Sequence, residues 1–226
     1  MSKQSKTADI FHPLLPSATG QVQVWSELYG SSFALAIVSA SAVHDRPLVV
    51  ITADNRQAQS LEEEIRFYLG KQTSVPLLSY PDWECLVYDR FSPHQDIISQ
   101  RLRTLSALPS LQRGIIILSI SNLLQRTPPE PYVSAHSFSL HTGDRIDIEH
   151  FRQQLEMAAY RHVSQVFEHG EYAIRGGIID LFPMGSSQPY RIDLFGDEID
   201  SCLLYTSDAA DDDTIVWLGG GGGGGR

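Results

Sequence analysis

The chain has few of the residues that disulfides, metal sites or membrane segments require. Only two of its 226 residues are cysteine, so a disulfide framework is not supported. A metal site would rest on the eight histidines, which show no paired ligand spacing. Apolar runs such as residues 114–120 are far shorter than the roughly 20 residues of a membrane helix. We therefore expect a cytoplasmic protein with no membrane contact.

Positive charge is also scarce. The chain carries 17 Lys and Arg against 27 Asp and Glu, a formal net charge of -10. General binding to nucleic acid needs a concentrated basic footprint, and the basic residues here are spread out. No free-standing DNA-binding module is indicated.

The usual signatures of nucleotide or hydrolytic chemistry are missing. Residues 28–34, LYGSSFA, lie where a phosphate loop would be expected, but they contain one glycine and no lysine. Glu62, Glu63 and Glu64 are consecutive on a predicted helix and point in different directions, which favours a solvated surface. Cys85 has no adjacent base, so a structural thiol is favoured over a nucleophile. We predict neither a catalytic residue nor a bound cofactor in this chain.

The first part of the sequence alternates helices and strands. Short apolar strands are predicted at residues 47–53, 75–80 and 114–120, and the last has the unbroken apolar run of a central parallel strand. Helices are predicted over 20–29, 31–43, 54–69 and 95–107. This order is typical of a parallel α/β layer. An aromatic-rich loop at 82–94 is expected to pack over the sheet edge, although stacking on nucleic acid is an alternative.

The pattern changes at the proline cluster of residues 128–131. A strand at 137–140, a turn at 142–144 and a helix capped by Asp147 follow. These elements predict a small α+β module after the α/β layer.

Two strand-like runs, residues 172–182 and 190–195, flank the turn-forming segment 183–189. Because side chains alternate along a strand, Arg191 and Phe195 share the face opposite Ile192. If the runs pair, Arg175 joins them on one solvent-facing surface, which we call the Arg/Phe face. The two arginines are either ordinary solvated charges or part of a partner-binding surface, in which Arg and aromatic residues are enriched.

The end of the chain, residues 202–226, differs from the rest. CLLYTSDAAD matches the translation of a transposase adapter used in sequencing libraries, and the seven glycines at 219–225 resemble a run of spurious G bases. We interpret these residues as a read-through artefact; the alternative is a genuine flexible, acidic and Gly-rich tail. Under the first interpretation the natural protein continues past Ser201.

Several motifs resemble one family. They are YDRFSPHQDIIS at 88–99, AYRHV at 159–163, EHGEYA at 168–173 and RGGIIDLFPMG at 175–185. Over about residues 20–201 the sequence is similar to the amino-terminal, UvrB-homologous region of the Mfd family of bacterial transcription-repair coupling factors. The pieces at 175–183 and 191–195 are also similar to the excision nuclease subunit UvrB.

The resemblance implies a domain plan. A disordered start at 1–19 precedes a degenerate RecA-like α/β domain at 20–127 that has lost its nucleotide motif. An α+β, UvrB domain 2-like module follows at 128–201, and the chain stops before the first domain is completed.

The resemblance also implies a function. Residues 128–201 would bind UvrA through Arg175, Arg191 and Phe195. The parent protein would be an ATP-driven DNA translocase that uses ATP and Mg, acts on double-stranded DNA and removes stalled RNA polymerase. A rival hypothesis is a UvrB-like helicase half-site that binds ATP and DNA. A third is autoinhibition, in which distal domains cover the Arg/Phe face.

Overall fold

The computed structural model describes residues 9–70, 75–85, 93–135, 137–204 and 214–218. Residues 86–92, the larger part of the predicted aromatic-rich loop, lie outside the described residues, as does the glycine run. Within the described ranges no helix is both long and apolar enough to cross a membrane. The chain forms two compact units, Met1–Asp82 with Ser110–Gln125, and Trp83–Pro109 with Arg126–Arg226.

The first unit is a parallel α/β layer. Its elements are α1 (Ser32–Val43), β1 (Leu48–Thr52), α2 (Asn55–Leu69), β2 (Leu77–Tyr80), β3 (Ile115–Ser119) and the short α4 (Ile120–Leu123). The strand order is β1-β3-β2 and all pairs are parallel. β3 is central and buried along its whole length, as its apolar sequence predicts. The predicted fold class, mixed α/β with a parallel sheet, is confirmed.

Local chemistry sets the ends of α2. The side chain of Asp54 accepts a hydrogen bond from the amide of Gln57, which satisfies one of the free N–H groups of the first turn. At the other end Gly70 has a φ of 68°, a left-handed conformation that glycine adopts without strain. The helix buries Leu61 and Ile65 in the core of the first unit.

The predicted helix over residues 20–29 is wrong. The segment has no regular secondary structure, and Glu27 has a φ of 63°, which a right-handed helix does not allow. Val22 and Val24 are exposed, and Trp25 packs against the core of the first unit from this irregular segment. A ten-residue helix is marginal in water by itself, so a periodic pattern of this length does not ensure one.

The second unit combines helices with two sheets. Its helices are α3 (Gln95–Ala107), α5 (Glu130–Ala135) and α6 (Ile148–Met157). Its strands are β4 (Ser137–His141), β5 (Arg161–His162), β6 (Glu171–Arg175), β7 (Ile178–Phe182), β8 (Tyr190–Phe195), β9 (Glu198–Leu204) and β10 (Thr214–Leu218). β4 pairs with β10, and the other five strands form one sheet in the order β5-β6-β7-β8-β9.

The predicted strand at 172–182 is two strands. The chain reverses at Gly176 and Gly177, and β6 then pairs with β7. Gly176 has a φ of 60°, so a glycine suits the turn. The predicted loop at 183–189 is confirmed, but it connects β7 to β8, and β7 therefore separates β6 from β8.

One face of the five-stranded sheet forms the core of the second unit. Tyr172, Ile179 and Ile192 are fully buried on it, and Phe151 and Leu155 of α6 belong to the same cluster. Asp147 caps α6 by accepting hydrogen bonds from the amides of Glu149 and His150, as predicted. α6 therefore contributes to the core under this face of the sheet, opposite the Arg/Phe face.

The predicted domain boundaries remain predictions. α3, which the sequence places within residues 20–127, belongs to the second compact unit. β9 continues through Cys202 to Leu204, so the first three residues of the suspected read-through segment extend a regular strand.

Candidate functional site

The strand register puts the three predicted residues on one sheet face. Arg175 lies opposite Ile178, which lies opposite Asp193, and the neighbouring row is Ala173, Asp180 and Arg191. Side chains of directly paired residues point the same way, so all these residues share the face opposite the core. Phe195 lies opposite Glu198, beyond an irregularity in the register between Asp193 and Leu194. Its neighbour Leu194 packs against the core, so Phe195 points to the other face.

The spacing of strands and residues gives the size of this surface. Strands lie about 4.8 Å apart and residues rise about 3.4 Å, so Arg175 lies about 12 Å from both Arg191 and Phe195. Arg191 and Phe195 are about 14 Å apart along β8. A triangle of this size fits within a standard docking patch of about 800 Å² per partner. The half-exposed Ile178 and Asp193 lie inside it.

Arg191 is held from below by a buried carboxylate. Its Nε donates to Oδ1 of Asp180 at 2.7 Å and its Nη2 donates to Oδ2 at 3.0 Å. The side chain of Asp180 is 2% exposed and that of Arg191 is 37% exposed. Arg191 is therefore both paired and partly solvated, an arrangement that neither sequence-based alternative included. A bidentate pair of this kind fixes the plane of the guanidinium as well as its position.

Arg175 is also held from within the unit. Its guanidinium donates to the backbone carbonyl of Ser164, and the residue is exposed. The segment that carries Ser164 runs between β5 and β6 and buries Val166. Arg175 thus presents a positive charge that a neutral acceptor has oriented without neutralising it.

Phe195 is the most exposed aromatic ring on this sheet. It is 83% exposed at the end of β8, beside the β8–β9 turn. An aromatic ring in this position gains nothing from the core and presents its apolar surface to solvent. Together the three residues form a surface with two oriented guanidinium groups and one apolar ring.

A separate charged cluster lies at the β5 side of the sheet. The buried Glu171 accepts hydrogen bonds from the amides of Phe167 at 2.8 Å and Glu168 at 2.9 Å. Arg161 donates to its other oxygen at 2.5 Å. Burial opposes ionisation of Glu171, but the two amides and Arg161 outweigh it and hold the pKa of this carboxyl below its ordinary value. The contacts tie the segment before β6 to the sheet.

The candidate phosphate-loop segment does not present a cradle. Gly30 lies just before α1, and the next residue, Ser31, makes no side-chain cap to the helix. Its hydroxyl is hydrogen-bonded to the hydroxyl of Tyr68 at 2.8 Å. Phe33 is partly exposed in the first turn of α1. No lysine stands here to reach a phosphate, so the side chains do not fit a bound nucleotide.

Metal ligation finds no support in the parts of the chain that the structure describes. Within them, no group of three or more His, Cys, Asp and Glu side chains is placed to hold an ion. Cys85 and Cys202 are free thiols of intermediate burial.

Sequence reasoning missed Asp180. A signal was available, because Asp180 is a charged residue within the apolar run 178–182 and an arginine occurs on the next strand. A buried charge needs a partner, and Arg191 is directly opposite it in the register. A single strand over residues 172–182, as the sequence pattern predicts, leaves this pairing unassigned.

Comparison with known proteins agrees with this architecture. The UvrB interaction domain family matches residues 138–216. The chain is 44% identical over 195 residues to the transcription-repair-coupling factor of Escherichia coli (strain K12), covering 86% of the chain and 17% of the relative. The chain is a homologue of the transcription-repair-coupling factors. The resemblance found in the motifs is thereby confirmed.

Other relatives extend the match across bacteria. The transcription-repair-coupling factor of Haemophilus influenzae is 43% identical over 203 residues, which cover 90% of the chain and 17% of the relative. That of Mycobacterium tuberculosis is 32% identical over 209 residues, or 88% of the chain and 16% of the relative. The chain therefore spans about a sixth of the length of these relatives. The domain match also includes residues 202–216.

Proposed function

We propose that this chain is a docking module that binds UvrA through its Arg/Phe face. The observation that carries the proposal is the register of the five-stranded sheet, which gathers Arg175, Arg191 and Phe195 on its solvent side. The match to the UvrB interaction domain lends support, because it covers the whole of this sheet.

Each of the three residues has a physical role in such a contact. Phe195 supplies the apolar anchor, since burying one exposed ring on a partner contributes strongly to binding. Arg175 and Arg191 offer charge-assisted hydrogen bonds to acceptors on UvrA. Because internal contacts already orient both guanidinium groups, docking loses less side-chain entropy than it would with two free arginines.

For the whole protein we propose transcription-coupled nucleotide excision repair. The parent is an ATP-dependent DNA translocase of the cytoplasm that displaces stalled RNA polymerase from double-stranded DNA and recruits UvrA. Its motor, with ATP and Mg, is outside residues 1–201. Residues 20–127 form a degenerate RecA-like domain, residues 128–201 form the UvrA-binding domain, and this chain itself is not an enzyme.

The competing function is an ATP-binding helicase half-site like that of UvrB. The parallel layer of the first unit favours it, but the segment around Gly30 argues against it. Titration of the chain with a fluorescent ATP analogue separates the two proposals. We expect no saturable binding at micromolar concentrations, and saturable binding there would support the half-site.

The docking proposal is tested by titrating purified UvrA against the chain and its Arg191→Ala variant. We expect the variant to bind more weakly by about 2 kcal/mol or more, which is typical of a hot-spot truncation. Arg152→Ala is the matched control, because Arg152 is a partly exposed arginine on α6, which packs on the opposite side of the sheet. Equal affinity of the wild-type chain and Arg191→Ala would refute the proposal for this residue.

A further inference from the structure

The pairing of Asp180 with Arg191 joins a buried residue to an exposed one. Asp180 lies in β7 between Ile179 and Leu181, both fully buried on the core face, and its own carboxylate is covered on the Arg/Phe face. Arg191 keeps more than a third of its side chain exposed. The carboxylate therefore sits beneath the guanidinium and is itself out of reach of a docking protein.

A buried charge of this kind has a clear energetic consequence. An ionised carboxylate without a partner is costly in the protein interior, so the native state favours the arrangement in which Arg191 spans both oxygens. The Nε and Nη2 contacts define a single guanidinium plane. Arg191 is thus fixed on the surface before any partner arrives.

We propose that Asp180 is a positioning residue of the Arg/Phe face. It holds Arg191 in the orientation that binds the partner. This inference rests on the proposed function. Asp180 does not touch UvrA; it acts through Arg191. It extends the docking site from three surface residues to a fourth, buried one.

The alternative role for Asp180 is to neutralise charge, and it predicts the opposite sign. If Asp180 only weakened the positive field of Arg191, replacing it by the neutral asparagine would strengthen binding to an acidic partner. If Asp180 positions the guanidinium, the same replacement weakens binding, because a mobile arginine must be ordered on docking. Ordering one long side chain corresponds to a loss of about three- to tenfold in affinity.

The test is a titration of purified UvrA against four chains: wild type, Asp180→Asn, Arg191→Ala and the double variant. We expect Asp180→Asn to lower affinity about three- to tenfold in the wild-type background. In the Arg191→Ala background the same substitution should change affinity by less than about twofold, because its effect passes through Arg191. The NMR signal of the Arg191 Nε–H should also shift in Asp180→Asn, reporting the lost hydrogen bond.

The outcomes separate this inference from the function on which it rests. If Arg191→Ala binds like wild type, the proposed docking role of Arg191 fails and the inference fails with it. If Arg191→Ala is weakened while Asp180→Asn is unchanged or tighter, only the positioning role is overturned. An equal loss in both backgrounds would show that Asp180 merely supports the fold.

A second variant covers the case in which Asp180→Asn unfolds the chain. Arg191→Lys keeps the positive charge but cannot span both carboxylate oxygens with a fixed plane. We expect it to lose affinity about three- to tenfold while the folded structure persists. Wild-type affinity in Arg191→Lys would overturn the inference, because charge without orientation would then be sufficient.

Discussion

The amide of Gly185 donates a hydrogen bond of 2.8 Å to Oγ of Ser99, a residue 86 positions earlier in the chain. A second contact joins the same two segments, because the His169 ring is hydrogen-bonded to Asp96 at 2.7 Å and to the carbonyl of Ser186 at 2.8 Å. Leu102 packs against the core of the second unit. α3 is therefore a structural part of the unit that carries the Arg/Phe face.

Ser99→Ala tests the attachment of α3. The substitution leaves the partly buried amide of Gly185 without its acceptor, so we expect it to lower the free energy of unfolding by about 1–2 kcal/mol. Urea unfolding measures the change. Ser106→Ala is the control on the same helix, since the Ser106 hydroxyl bonds only the nearby Arg103 carbonyl among the contacts described, and should change stability by less than about 0.5 kcal/mol. Equal effects of the two variants would contradict the attachment.

The Asp180 and Arg191 pair predicts an asymmetric effect on stability. Arg191→Ala leaves a buried carboxylate without its partner and should cost about 2 kcal/mol, less than a fully buried pair because Arg191 is partly exposed. Adding Asp180→Asn should recover part of that loss, since the amide carries no charge to bury. Thermal and urea unfolding of the single and double variants provide the measurement. A double variant less stable than Arg191→Ala would refute this view of the pair.

Glu171 predicts a loss of stability in acid. Burial raises the pKa of Glu171, whereas hydrogen bonds from Phe167 and Glu168 and the charge of Arg161 lower it. The lowering effects are together larger, so the folded-state pKa lies below the ordinary 4.5. A lowered folded-state pKa contributes stability above the unfolded-state pKa, and this contribution disappears as the pH falls through the folded-state value. Urea unfolding between about pH 3 and pH 7 should show wild type and Glu171→Gln converging below about pH 4.5. A constant difference across this range would contradict the assignment.

Strand alternation predicts the shared face of Arg175, Arg191 and Phe195, but for Arg175 the predicted strand pairing is wrong. Arg191 and Phe195 both lie on β8, and Leu194 faces the core, so a period of two places them on the same face despite the irregular register after Asp193. Arg175 was placed on the same face by pairing it with the wrong strand. The predicted face of Arg175 is still correct, because directly opposite residues in an antiparallel sheet point the same way. Arg175 is opposite Ile178 of β7, and Ile178 is opposite Asp193 of β8.

What the sequence did not reveal depends on contacts distant in the chain. The link between Ser99 and Gly185, and the assignment of α3 to the second unit, follow from packing that no local pattern encodes. The reversal at Gly176 and Gly177 is not among the sequence-based predictions, although two consecutive glycines between strand-like runs favour a hairpin turn. Strong local signals did predict structure well, as the cap at Asp147 and the wholly buried β3 show.

The most direct measurement of the docking claim is the affinity of purified UvrA for Phe195→Ala. Phe195 is 83% exposed, so its truncation should leave the free energy of unfolding within about 0.5 kcal/mol of wild type. Phe67→Ala is the matched control, because Phe67 is 80% exposed on α2 in the first unit. We expect Phe195→Ala to weaken binding by about 2 kcal/mol or more while Phe67→Ala binds like wild type. Equal binding of UvrA to the wild-type chain, Phe195→Ala and Phe67→Ala would contradict the account.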